Sequence, residues 1–141
     1  MKRLFLVALA TLFIFGCASR VSTADRNAAY ADFIQTNNLQ SINRITSFDF
    51  NGWSSLSNDY MILSANFRKD YLLKMQGGCT GLNFAQVVKL HQFSNNTFDK
   101  LSDTVSVKDT IPMQCRVANI YPLTQDQSKA IKQIVKEKPQ K

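Results

Sequence analysis

Between residues 60 and 67 the side chains alternate, with Met61, Leu63, Ala65 and Phe67 set against Tyr60, Ile62, Ser64 and Asn66. A period of two is the repeat of a strand, and no helix face collects it, so this segment commits the chain to a sheet. Its neighbours supply partners. Thr46, Phe48 and Phe50 alternate with Ser47 and Asp49 ahead of an Asn51-Gly52 turn, and Arg68-Lys69-Asp70 separates the central strand from a hairpin partner at residues 71–75. Residues 87–93, 104–108 and 116–121 raise the total to about six strands, with Ser94-Asn95-Asn96 and Lys108-Asp109 as turns.

The two ends are helical instead. Residues 27–36 place Ala29, Tyr30, Phe33 and Ile34 on one face and stop at Asn37-Asn38. Pro122 breaks the last strand, and Thr124 with Gln127 three residues on fits a capping box. Ala130, Ile131, Ile134 and Val135 then form an apolar stripe opposite the lysines. The expected fold is α+β: an antiparallel, barrel-like sheet of five to six strands with an N-terminal and a C-terminal helix. Ten phenylalanines can fill much of such a core.

The first residues follow a different logic. Lys2 and Arg3 precede an apolar run from Leu4 to Phe15 interrupted only by Thr11, and Ile14-Phe15-Gly16-Cys17 reads as a lipobox. The run is short of the about 20 apolar residues that a membrane span needs. The pattern resembles the signal peptide of a bacterial lipoprotein, which implies cleavage before Cys17 and acylation there. Ala18 rather than Asp follows the cysteine, so the resemblance implies the outer membrane, facing the periplasm. A rival cut after Ser22-Thr23-Ala24 would release a soluble periplasmic protein; the signal architecture favours the first. The expected organisation is a signal peptide at 1–16, a tether at 17–26 and one α+β domain at 27–141.

Cysteine content agrees with export, and the charge is uneven. Seventeen Lys and Arg against ten Asp and Glu give +7, and loss of Lys2 and Arg3 leaves fifteen against ten, +5. Lys129, Lys132, Lys136, Lys138 and Lys141 concentrate that excess near the end, as a solvated helix face or an attraction to anionic lipid. No nucleic-acid partner is expected of an exported chain. With Cys17 acylated, Cys79 and Cys115 remain as an even pair in an oxidising compartment, so a structural disulfide is the default and two buried thiols the alternative.

Few segments suggest chemistry. Gly77-Gly78-Cys79-Thr80-Gly81 lacks the lysine and spacing of a phosphate loop and reads as a tight turn that aims Cys79. His91 is the only histidine; it shares a strand face with Lys89 and Phe93 and is read as exposed, with neither a catalytic triad nor a metal site around it. Asp49, Asp59, Asp70, Asp99, Asp103 and Asp109 fall mostly at turns or strand ends, where Asp is common. No cofactor is expected. Trp53 is either an exposed contact residue or a lid over the core, and the candidate contact residues are Trp53, Lys129, Lys132 and Lys136.

Asn51-Gly52-Trp53, Leu56, Tyr71-Leu72-Leu73, Gly78-Cys79 with Leu82-x-Phe84-Ala85, and Cys115 with Ile120 and Pro122-Leu123 together resemble an uncharacterised family of small proteobacterial envelope lipoproteins, a domain of unknown function. The similarity covers residues 41–123. It implies a Cys79–Cys115 bridge and no established activity. The function expected is therefore that of a non-enzymatic binding module held to the membrane by Cys17, with an envelope protein or cell-wall partner. The alternative is a binder of small molecules or lipids, which a pocket of apolar walls with a few convergent polar groups would favour.

Overall fold

The computed structural model describes residues 21–108 and 113–134. The alternating segment is strand β3, Tyr60–Ala65, and it lies second from one edge of a six-stranded sheet. In chain order the other strands are β1 (Arg44–Thr46), β2 (Phe50–Ser55), β4 (Lys69–Met75), β5 (Val88–His91), β6 (Thr97–Asp99), β7 (Thr104–Val107) and β8 (Met113–Leu123). The large sheet runs β2-β3-β4-β8-β7-β5, antiparallel throughout, while β1 and β6 form a separate ribbon. The sheet curls into a half-barrel, and β2 and β5 are its edges. The α+β class and antiparallel sheet are as the sequence predicts.

Side-chain alternation in β3 divides the interior into two cores. Met61, Leu63 and Ala65 join Tyr71, Leu73, Val105, Val117 and Ile120 on one face, closed by Ile45 and Phe98 from the small ribbon. Tyr60 and Ile62 point the other way and meet Leu72, Leu123, Tyr30 of helix α1 (Thr23–Thr36) and Ile131 of helix α2 (Gln125–Gln133). The capping box of α2 forms as expected: the Thr124 hydroxyl accepts the Gln127 N–H, and the Gln127 side chain accepts the Thr124 N–H at 2.9 Å.

Several local expectations are corrected. Helix α1 starts at Thr23, capped by Ser22, and takes up part of the stretch read as a tether. Asn51-Gly52 is no turn: both residues lie within β2, at a bulge in its pairing with β3. Ser47, at φ 52°, breaks the 46–50 alternation and sends its two halves to different sheets. The β3–β4 turn is Asn66-Phe67-Arg68, all at positive φ, so Phe67 stands in solvent instead of in the core.

Pro122 lies inside β8, opposite Tyr71. Strand β7 covers only Met113–Arg116, so a residue without an N–H breaks no ladder on that side. In α2, Ala130 is exposed and Ser128 takes the buried place, donating its hydroxyl to Asp70. Val135, Lys136, Cys17 and the segment read as a signal peptide lie outside the described residues.

Candidate functional site

The two helices cover β3, β4 and the far half of β8, and among the described residues neither packs on the same face of β5 and β7. Register fixes what that face presents. Lys89 pairs with Ser106 and Ser106 with Gln114, so these three side chains form one row. His91 pairs with Thr104 and is therefore a diagonal neighbour of Ser106 on that face. A cleft of about 600 Å³ opens here, lined by Val87, Val88, Lys89, His91, Ser106, Val107, Lys108 and Gln114. It is larger than the groove of about 210 Å³ between α1 and Ile134.

His91 is half-buried, not exposed, because β5 lays it against Ser106: its Nε2 and the Ser106 Oγ share a hydrogen bond of 2.9 Å. Ser106 is itself buried. Among the described residues the lining carries two lysines and no carboxylate, so a bound molecule meets a basic rim and the exposed Val87, with the edges of Val88 and Val107, whose side chains turn to the first core. A serine nucleophile would need His91 as base, a group holding the other ring nitrogen, and donors for an oxyanion. Among the described residues no carboxylate hydrogen-bonds His91.

The disulfide braces this corner. Cys79 and Cys115 are joined, with Cα atoms 5.5 Å apart, and Cys115 directly follows the cleft residue Gln114. The glycine turn serves the bridge as its composition suggests: Gly77, Gly78 and Gly81 all have positive φ, and the Cys79 N–H donates to the Asn58 carbonyl at 2.7 Å. A Cβ at Gly78 would sit 3.0 Å from Asp59 Oδ1.

The candidate contact residues lie elsewhere. Trp53 is on β2, at the opposite edge of the sheet, half-buried against the core in the lid arrangement. Lys129 is exposed on α2, and Lys132 lies 3.9 Å from the Asp70 carboxylate. Lys136 is outside the described residues. The cleft itself was missed, although Val87, Val88 and Lys89 just ahead of the lone histidine were in view; the missing information was the pairing with Ser106. Among the described residues no group of three metal-ligating side chains occurs, and no helix is long and apolar enough to cross a membrane.

Fold and site thus define an α+β protein with a disulfide-braced half-barrel and an apolar, basic-rimmed cleft. The chain belongs to a family of unknown function (DUF6491), which matches residues 1–140. No curated protein and no solved structure matches it.

Proposed function

We propose that this chain is a lipid-anchored envelope protein of the outer membrane, facing the periplasm, whose domain binds an amphipathic anion in the β5–β7 cleft without transforming it. The observation that carries the ligand class is the lining itself: exposed Val87 and the edges of Val88 and Val107 for an apolar body, with Lys89 and Lys108 for an acidic head. His91, Ser106 and Gln114 supply hydrogen bonds that fix its orientation. The anchoring half of the reading is supported by the Ile14-Phe15-Gly16-Cys17 pattern and by the use of the other two cysteines in a disulfide, a bond that persists in oxidising compartments.

Calorimetric titration with dodecanoate, dodecyltrimethylammonium and acetate tests the ligand class. Dodecanoate should bind saturably, and the other two should bind at least about tenfold more weakly, since each lacks one of the two recognised features. Reversing both cations in Lys89→Glu/Lys108→Glu should weaken dodecanoate by about tenfold or more at unchanged melting temperature. Equal binding of the cationic amphiphile would sink the proposal. The His91–Ser106 contact favours a second reading, an esterase. Its signature would be turnover of a p-nitrophenyl ester that Ser106→Ala abolishes.

A further inference from the structure

Three of the exposed large apolar side chains, Phe84, Val87 and Met113, lie where the chain enters the domain. Helix α1 begins at Thr23, and its first turn touches the 3₁₀ turn Leu82–Phe84, with Arg26 Nη1 donating to Asn83 Oδ1 at 3.3 Å. Within that turn Leu82 takes the core position, fully buried, while Phe84 is 84% exposed. Val87 follows three residues later at 51% exposure, and its carbonyl accepts the Lys108 N–H at the end of β7. Met113, at 49%, starts β8 opposite Val107. One end of the molecule therefore presents Phe84, Val87 and Met113, with Lys108 beside them. Apolar side chains flanked by a cation are the composition that settles into a headgroup interface.

We infer that this end of the domain rests on the lipid surface that holds the chain, so that the mouth of the cleft, formed in part by Val87 and Lys108, faces the bilayer. The inference rests on the anchoring at Cys17 proposed above. What selects a lipid surface over other occupants is the length of the connection. Cys17 precedes the Ser22 cap by five residues, a reach of at most about 17 Å. That brings the Phe84 end to the membrane first. Exposed Phe67, at the β3–β4 turn, lies about 20 Å farther off along the hairpin. An amphiphile leaving the bilayer would then enter a basic-rimmed cleft without crossing open water.

The mature chain, purified with its acyl groups and placed in phosphatidylethanolamine/phosphatidylglycerol vesicles that contain brominated lipid, tests the orientation. In a Trp53→Phe background, Phe84→Trp or Val87→Trp reports one end and Phe67→Trp the other; circular dichroism melting confirms that each variant folds. Bromine quenches tryptophan at short range only, so the Phe84→Trp and Val87→Trp signals should be quenched at least about twofold more than that of Phe67→Trp. Equal or greater quenching at Phe67→Trp overturns the orientation and leaves the anchoring standing. Mass spectrometry of the Cys17 peptide reads the anchor separately. An unacylated Cys17 overturns the anchoring and this inference with it.

Discussion

Asp103 shows how much one side chain can hold. It is 1% exposed, yet its carboxylate stays satisfied: Oδ1 accepts the Phe93 N–H at 2.9 Å and the Ser102 hydroxyl at 3.0 Å, and Oδ2 accepts the Asp99 N–H at 2.8 Å. Those bonds tie the exit of β5 to the end of β6 just ahead of β7. Asp103→Ala leaves two part-buried backbone donors without their acceptor, and it should lower stability by about 1–3 kcal/mol in urea unfolding, with the slope unchanged. A loss below about 0.5 kcal/mol would show that water replaces the carboxylate. Asp99 next to it behaves differently. The Leu101 N–H, and then the Arg44 guanidinium 2.7 Å away, hold its carboxyl below the usual range. The sequence places both at turns or strand ends, and Asp99 does close β6 while Asp103 sits just ahead of β7; burial and donor count come only from what packs around them.

At the scale of elements, the disulfide closes a loop across a sequence separation of 36, which joins the glycine turn after β4 to the start of β8. Loop-closure entropy alone assigns such a ring about 3.8 kcal/mol. Cys79→Ala and Cys115→Ala should therefore each destabilise by a few kcal/mol, and the double variant by no more than either single one, because one bond is lost in all three. Additive losses in chemical unfolding would mean that the two side chains act through packing instead. Elements with a local signature were legible: the β3 alternation, the Thr124–Gln127 box and the glycine turn all follow from residues within a few positions of one another. What was not legible depended on distant partners. β6 is three residues long and exists through Arg44↔Asp99 and its two neighbouring pairs with β1. Asn51-Gly52 has turn chemistry but is drawn into β2 by pairing with β3. The cleft required β5 to meet β7, fifteen residues away at His91 and Ser106.

Across the whole molecule, the central sheet separates two cores, and the four tyrosines of the chain all sit at their margins or within them. Burial raises the hydroxyl pKa of Tyr30, Tyr60, Tyr71 and Tyr121 above the ordinary value. For Tyr60 the nearby Tyr121 and Asp59 push the same way, whereas Arg26 partly opposes the shift at Tyr30. The folded state therefore keeps its tyrosines neutral at a pH where the unfolded chain, titrating near about 10, gives up its protons. The stability held by these groups is complete below pH about 10 and falls as pH rises through the higher folded values. Tyrosinate absorbance and far-ultraviolet circular dichroism followed together should change in one step centred above pH 10, since the rings ionise as the cores open. Tyr60→Phe/Tyr121→Phe removes two of these groups and should move the loss of structure to higher pH. Ionisation of all four tyrosines near pH 10 with the dichroism unchanged would show that the hydroxyls reach water in the folded protein, and that the two cores are more open than their packing implies.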